Sequence, residues 1–276
     1  MRILHLDAGR EMRGGQWQVL RLVEGLASEG IESTLLARKD APLYVAARKQ
    51  GWRVEPLGLT RAVLELRSHD LVHAHDARTH TMGTLLRGRP LVVARRVAFP
   101  VGSRWKYGKA RRYIAVSEFV KGVLMQGGVS EDKISVVYDG VPVLEVAQGT
   151  GVFPLAVLRL EKGKAPPDLE RAIASAAMMV YLTDNEGLGS GALLAMSAGL
   201  PVVASNVGGL REIITHRENG LLVNNAAEIE AAVRELSEDR DFARRIGAAA
   251  RHTVMERFTV SRMVQRTMEV YRQVVA

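Results

Sequence analysis

The sequence predicts an α/β protein with two Rossmann-like parallel-sheet domains, the second one abbreviated. Short apolar strand candidates alternate with amphipathic helix candidates along most of its 276 residues. Strand candidates such as IESTLLA (31–37) and PLVVARR (90–96) are apolar and partly β-branched, which is typical of parallel strands that helices cover on both faces. Residues 141–151 lack either periodicity, and this linker candidate separates two such series of βα units.

The first series predicts an N-terminal domain over residues 1–145. It opens with the strand candidate RILHLDA (2–8), a loop containing Gly14 and Gly15, and a helix candidate over 16–28 whose apolar residues have helical spacing. Further strands are predicted at 31–37, 52–58, 70–75, 90–96, 112–117 and 133–140, and further helices at 42–51, 78–88 and 118–128.

The second series predicts a smaller domain over residues 152–258, followed by a helical segment to Ala276. With about 120 residues it has room for three or four strands, which is few for a doubly wound sheet. Its strands are predicted at 152–160, 178–183, 200–205 and 220–223, and its helices at 168–176, 190–199, 208–215 and 226–239.

Composition excludes several classes of protein. The absence of cysteine rules out disulfides and thiolate zinc sites, and the seven histidines show neither HExxH nor a paired ligand spacing, so no metal is expected. No apolar run approaches the roughly 20 residues of a transmembrane helix, and the N-terminus lacks the pattern of a secretory signal. We therefore expect a cytoplasmic protein whose membrane contact, where it has one, is peripheral.

The net charge of +8 is concentrated in one segment. Residues 87–112 carry nine cations and no acid, whereas the rest of the chain is nearly balanced. A solvated basic loop explains this run as well as a dock for an anionic acceptor or an acidic lipid surface does. Nucleic acid is disfavoured because no known nucleic-acid-binding pattern accompanies the charge. The cations are Arg87, Arg89, Arg95, Arg96, Arg104, Lys106, Lys109, Arg111 and Arg112.

Three glycine-rich or cationic loops follow predicted strands, where α/β sheets bind ligands. The most specific is NEGLGSGALLAMSAGLPVVASNVGGLREII (185–214), in which Glu186 and a glycine loop precede a helix whose N-terminus would favour an anionic ligand. Gly14 and Gly15 form a weaker signal, equally explained by a tight turn. Arg159 and Lys164 come after the apolar segment VFPLAVL (152–158) and could clamp a diphosphate, or could be solvated loop charges.

These segments, together with RYIAVSEFVKGVLMQGGVSEDKISVVYDGV (112–141), resemble the family 4 retaining glycosyltransferases of GT-B fold. The resemblance spans nearly the whole chain and includes DLVHAH (70–75) and the final segment 259–276, which in that family returns to the N-terminal domain. It implies transfer of a sugar from a nucleoside diphosphate sugar to a glycan or lipid-linked acceptor, with retention and without metal or other cofactor.

The resemblance also implies roles for individual residues. Glu186 would face the donor sugar, while Arg159 and Lys164 would hold the departing diphosphate. The donor-binding residues would be Gly14, Gly15, Gly187, Leu188, Gly189 and Ser190. The acceptor side would contain His75, Arg95, Arg96 and Ser117, although a helix N-cap explains Ser117 equally well.

The sequence departs from the family pattern at several points. Leu194 occupies the position of a second glutamate, and Arg95 or Arg96 replaces a histidine that commonly follows the strand PLVVA. Between 165 and 182 about two βαβ-type units are missing, which predicts an uncovered sheet edge and a homodimer through the second domain. These departures keep open a non-catalytic, glycosyltransferase-like scaffold or binding protein, and with less support a GT-B epimerase.

Overall fold

Two parallel β-sheets form the framework of the computed structural model, which describes residues 1–147, 157–161, 166 and 168–276, with the side chains of Arg104 and Glu161 excepted. The first sheet contains seven of the described strands in the order β3-β2-β1-β4-β5-β6-β7, and every pairing is parallel. These strands are β1 (Arg2–Asp7), β2 (Glu32–Ala37), β3 (Val54–Pro56), β4 (Leu71–Ala74), β5 (Leu91–Arg95), β6 (Arg112–Ala115) and β7 (Ile134–Val136).

Helices connect these strands, as parallel pairing requires. A short 3₁₀ helix, Glu131–Lys133, precedes β7. The helices are α1 (Gly14–Ser28), α2 (Pro42–Lys49), α3 (Leu59–Leu66), α4 (Ala77–Leu85), α5 (Arg104–Tyr107) and α6 (Glu118–Gln126). One side of the sheet packs its core through Val19 of α1, Leu35 of β2 and Leu43 of α2, all of which are buried.

The second sheet contains four described strands in the order β11-β10-β9-β8, again all parallel, which agrees with the predicted three or four. The strands are β8 (Val157–Glu161), β9 (Met178–Leu182), β10 (Val202–Ser205) and β11 (Leu221–Val223). The helices that follow β8 along the chain are α7 (Leu169–Ser175), α8 (Ser190–Ser197), α9 (Leu210–Ile213), α10 (Ala226–Glu238), α11 (Arg240–Arg257) and α12 (Val260–Val275). Met178, Val203 and Phe242 belong to its core.

The chain divides into two compact units: residues 1–138 with 263–276, and residues 139–262. Most of α12 therefore belongs to the first unit, where Val264 lies so close to Gly25 of α1 that a β-carbon on that glycine would overlap it. None of the helices in the described part of the chain has the length and hydrophobicity of a transmembrane span.

Some local predictions were wrong in detail, and some short elements were not predicted. Helix α1 begins at Gly14, so Gly14 and Gly15 lie in its first turn and not in the preceding loop. Strand β4 ends at Ala74, one residue before His75. Helix α3 was missed because its exposed face also carries large apolar side chains, Val63 and Leu64 being 50% and 60% exposed, which obscures the helical periodicity.

Candidate functional site

The junction between β9 and α8 holds the carboxylate of Glu186 from two sides. The Tyr181 hydroxyl donates to Oε2 at 2.6 Å, and the backbone amide of Gly187 donates to Oε1 at 2.8 Å. Burial, reinforced by the adjacent carboxylate, raises the pKa of Tyr181 well above its usual range, so the phenol keeps its proton and remains a donor. Glu186 is thus fixed in orientation at the carboxyl edge of the second sheet.

The glycine loop after Glu186 is packed against the turn that begins α9. The Gly209 amide donates to the Glu186 carbonyl at 3.0 Å, and a β-carbon on Gly209 would overlap the Gly187 carbonyl. Gly189 has φ +106°, a conformation that side chains rarely adopt, and a β-carbon there would lie 2.6 Å from Leu210 Cδ2. The glycines are therefore required by the packing of the loop itself.

Helix α8 begins beside a buried carboxylate. Ser190, its first residue, donates from Oγ to Asp139 Oδ2 at 3.4 Å, and Asp139 is only 5% exposed. Leu194, which stands where the resemblance places a second glutamate, is buried in the same helix. At that position α8 therefore packs an apolar side chain into the interior and has no accessible carboxylate.

Arg159 lies in β8 with an exposed side chain and pairs with Val180 of β9. Its neighbour Leu160 faces α8, since a β-carbon on Gly191 would lie 2.8 Å from Leu160 Cδ2. Successive strand residues point to opposite faces, so the side chain of Arg159 leaves the face opposite to α8. Lys164, its predicted partner in holding a diphosphate, lies outside the described residues.

The first sheet has its own ordered loop at the carboxyl end of β1. The buried Asp7 carboxylate accepts hydrogen bonds from the Gly9 amide at 2.8 Å and from Gln16 Nε2 at 3.2 and 3.1 Å. Gln16 Oε1 in turn accepts from the Arg13 amide at 3.3 Å, just before Gly14. Burial raises the pKa of Asp7. Asp7 and Gln16 were not predicted as site residues, although an acid at the end of a first strand is a signal that could have identified them.

The four acceptor-side candidates lie at or just beyond the carboxyl ends of three neighbouring strands of the first sheet, β4, β5 and β6, and Arg95 is the last residue of β5. Their surroundings differ. The buried Arg95 guanidinium donates to the Tyr107 hydroxyl at 2.8 Å and to the Phe99 carbonyl, so it braces the segment before α6. Ser117 is completely buried and caps α6 by accepting from the Val120 amide at 3.0 Å. The capping interpretation of Ser117 is therefore confirmed.

Half-buried Arg96 lies near the buried His75. His75 Nε2 lies 3.0 Å from His5 Nδ1, and Arg96 is close enough to lower the pKa of His75 by charge repulsion, after the larger effect of burial. The contact between His5 and His75 could not be predicted from the sequence. The two residues are 70 positions apart and meet only through the pairing of β1 with β4.

The basic run presents two large apolar side chains to solvent. Phe99 and Trp105 are 61% and 60% exposed, and Lys109 Nζ lies 5.9 Å from the centroid of the Trp105 indole. Lys106 instead turns inward and donates to the Ala77 carbonyl at 2.5 Å. The exposed Trp105 ring therefore lies beside a cation, Lys109, on this surface.

Solved structures share this architecture. The Anabaena protein HepE, crystallised in complex with UDP and glucose, aligns with a TM-score of 0.85 and 18% identity over 99% of this chain and 100% of that one. Sucrose-phosphate synthase from Thermosynechococcus elongatus aligns with a TM-score of 0.78 and 18% identity over 99% of this chain and 98% of that one. At this identity the likeness establishes the fold.

Sequence models of two families match consecutive parts of the chain. Residues 12–143 match Glycosyltransferase Family 4, and residues 160–253 match Glycosyl transferases group 1. The chain belongs to the family 4 glycosyltransferases of GT-B fold. The family and fold expected from the glycine loops and the AVSEFV segment are thereby confirmed.

Curated relatives of this glycosyltransferase cover parts of it. Alpha-maltose-1-phosphate synthase of Mycolicibacterium smegmatis is 35% identical over 116 residues, which are 39% of this chain and 30% of that protein. A GDP-mannose-dependent alpha-(1-6)-phosphatidylinositol monomannoside mannosyltransferase of Mycobacterium tuberculosis is 45% identical over 73 residues, 26% of this chain and 19% of that protein. The chain thus spans less than a third of the length of either relative.

Proposed function

We propose that this glycosyltransferase moves a sugar from a nucleoside diphosphate sugar to a glycan or lipid-linked acceptor with retention of configuration. The observation that carries the proposal is the fixed carboxylate of Glu186 beside the N-terminus of α8. A carboxylate oriented by two donors can accept hydrogen bonds from sugar hydroxyls through its remaining lone pairs. The positive end of α8 favours the anionic part of the same donor.

In the proposed reaction the chain supplies orientation and electrostatic stabilisation, without a metal or other cofactor. Arg159 and Lys164 meet the negative charge that develops on the departing diphosphate, and the amides of Leu188 and Gly189 add to this stabilisation. Glu186 holds the sugar while the acceptor hydroxyl approaches from the face that the diphosphate leaves. Gly14 and Gly15 allow the backbone of the first unit to approach the donor phosphate and acceptor.

The comparisons support a nucleotide sugar as donor without fixing its base. The HepE structures include complexes with UDP and with UDP-glucose, whereas the mycobacterial mannosyltransferase is named for GDP-mannose. The identity of the nucleotide base is therefore left to the titration with different nucleotides.

Calorimetric titration with UDP, GDP and ADP tests the proposal on the purified chain. We expect micromolar binding of one nucleotide, abolished by Arg159→Ala with Lys164→Ala, and we expect Glu186→Gln to reduce sugar transfer by about 100-fold through lost transition-state interactions. Arg234→Ala and Glu230→Gln are matched controls, because that exposed ion pair lies on α10. Equal losses in the controls, or binding unchanged by the double variant, would contradict the proposed site.

A non-catalytic scaffold or binding protein is the second candidate, favoured by Leu194. A buried leucine cannot bind ribose hydroxyls as a glutamate would. A folded chain that binds none of the three nucleotides would support this candidate over the first.

We further propose that the acceptor is anionic and is met at a membrane surface on its cytoplasmic side. Phe99 and Trp105 would insert among lipid headgroups while neighbouring cations contact acidic lipids. Co-sedimentation with vesicles containing phosphatidylglycerol should decrease for Phe99→Ala with Trp105→Ala, but not for Trp17→Ala, a matched control that is 49% exposed on α1. Equal sedimentation of all three proteins would exclude this surface.

A homodimer through the second unit is a separate proposal. Strand β8 ends the order of described strands in the second sheet, and its Val157 is 44% exposed. Unpaired strand edges are places where a second chain can add. Light scattering over a hundredfold concentration range should reveal the dimer mass, and a monomer mass throughout would refute it.

A further inference from the structure

Three histidines form a buried cluster in the first unit. His5 of β1 is directly opposite His73 of β4 in the parallel register, and His75 follows β4 on the same face. The ring centroids are separated by 5.7 Å for His5 and His73, 5.3 Å for His5 and His75, and 4.0 Å for His73 and His75. None of the three residues is more than 7% exposed.

Each ring has one nitrogen with a hydrogen-bonding partner and one without a partner among the described residues. His5 Nδ1 lies 3.0 Å from His75 Nε2, and His73 Nδ1 lies 2.6 Å from the Tyr271 hydroxyl. The remaining nitrogens are His5 Nε2, His73 Nε2 and His75 Nδ1. Buried polar atoms without partners are rare in folded proteins and destabilising, and His73 Nε2 is one that a bound ion would satisfy without breaking a hydrogen bond.

The cluster has the protonation state that metal ions bind. The three rings are buried, which disfavours their charged form. Neutral imidazole nitrogens ligate Zn²⁺, Ni²⁺ and Cu²⁺ in proteins. Arg96 is the cation that acts on His73 and His75, and the nearby carboxylate of Asp7 opposes its charge.

We propose that His5, His73 and His75 bind one divalent transition-metal ion, with Zn²⁺ as the ion of choice. One ligand nitrogen from each ring lies within 4.8 Å of the other two. Nitrogens on a tetrahedral zinc are about 3.3 Å apart, as follows from Zn–N bonds of about 2.0–2.1 Å, so small side-chain rotations close the site. His5 Nδ1 and His75 Nε2, at 3.0 Å, already have nearly this separation.

Binding of the ion by His5 Nδ1, His73 Nε2 and His75 Nε2 releases no proton. The ion replaces the hydrogen bond between His5 Nδ1 and His75 Nε2, and the ring that donated it shifts its proton to its other nitrogen. His73 binds through Nε2, so its single ring proton resides on Nδ1, which donates to the Tyr271 oxygen. Tyr271 then orients a metal ligand, as residues beyond the ligands commonly do.

The first experiment measures metal content. The full chain, expressed with zinc and also refolded with Zn²⁺ because the site is buried, should hold one zinc per chain after dialysis. X-ray absorption at the zinc edge should count three imidazole nitrogens, a readout that needs no variant. Less than a tenth of an equivalent in both preparations would overturn the proposal, as would a site with fewer than three imidazoles.

Variants then assign the ligands. His73→Gln should lower zinc affinity by about 100-fold and remove the visible absorption of the Co²⁺-substituted protein. His69→Gln is the buried control, since both ring nitrogens of His69 already have partners in Thr34 and the Glu65 carbonyl, and His252→Gln is the exposed control. Tyr271→Phe keeps all three ligands and should retain one zinc with affinity lowered about 10-fold. The assignment would be refuted if His69→Gln lost as much zinc as His73→Gln does, or if His252→Gln lost zinc.

Discussion

The hydroxyl of Tyr271, in α12, lies 2.6 Å from Nδ1 of His73, in β4. The tyrosine is completely buried, and burial raises the pKa of its hydroxyl well above its usual range, so the phenol keeps its proton in this bond. Because 198 positions of sequence separate the two residues, this bond ties the end of the chain to the centre of the first sheet.

Tyr271→Phe should therefore destabilise the first unit. Removing the hydroxyl leaves His73 Nδ1 buried without its partner, at a cost of about 1–3 kcal/mol. Urea unfolding measures the change. Tyr44→Phe is the control, because its hydroxyl has no hydrogen bond among the described residues although the ring is buried. Equal stability of the two variants would show that the bond contributes nothing.

Gly209→Ala should disrupt the loop that carries Glu186. The new methyl group would overlap the Gly187 carbonyl, and relieving the overlap should destabilise the second unit by about 1–3 kcal/mol. Thermal unfolding and nucleotide titration should both report the change. Gly122→Ala, in α6 with open space at its β-carbon, should instead be neutral or stabilising by about 0.5–1 kcal/mol. A stable Gly209→Ala protein would mean that this contact is loose.

Gly15→Ala separates folding from the role proposed for the first turn of α1. No atom lies within 4 Å of a β-carbon added at Gly15, so the variant should unfold at the same temperature as the wild type or higher. If the backbone there approaches a donor phosphate, the methyl group should lower nucleotide-sugar affinity by about 10-fold, or about 1.4 kcal/mol. Unchanged affinity would support a purely structural helix start.

His80 should make stability depend on pH. Burial, followed by the charges of Lys106 and Arg95, lowers its pKa to about 3, and the facing rings of Tyr107 and Tyr113 carry no charge. The folded-state pKa lies below the unfolded value of about 6.5, so the unfolded chain takes up the proton first. The stability from neutral His80 is present above pH 6.5 and is lost as pH falls toward 3.

His80→Phe should flatten that dependence. Between pH 6 and pH 4 its unfolding free energy should fall less steeply than that of the wild type, by up to about 1.4 kcal/mol per pH unit. Urea titrations at pH 7, 6, 5 and 4 measure how steeply the unfolding free energy changes with pH. The hydrogen bond that the variant loses lowers this free energy at every pH and does not alter its slope. His252→Gln, an exposed change, should leave the slope unaltered. Parallel slopes for all three proteins would contradict the lowered pKa of His80.

The sequence predicted most of the architecture because its signals are local. Alternating apolar strands and amphipathic helices identified the parallel sheets, and the glycine loop after Glu186 identified the family. The Ser117 cap could be predicted because it too is local: the serine Oγ accepts a hydrogen bond from an amide only three residues away. Helix α3 was not predicted, because apolar residues on its exposed face obscure the helical periodicity of its buried face.

Contacts between distant strands were decided by the tertiary structure alone. Nothing near His5 in the chain indicates that it meets His75, or that Tyr271 reaches His73, because strand pairing and helix docking create those contacts across 70 and 198 positions. The hydrogen bond from Arg95 to the Tyr107 hydroxyl could not be predicted from the sequence either. The sequence by itself determined the elements and the family, and packing determined which polar groups are engaged inside the protein, because burial makes every such group take the partners that the fold brings near.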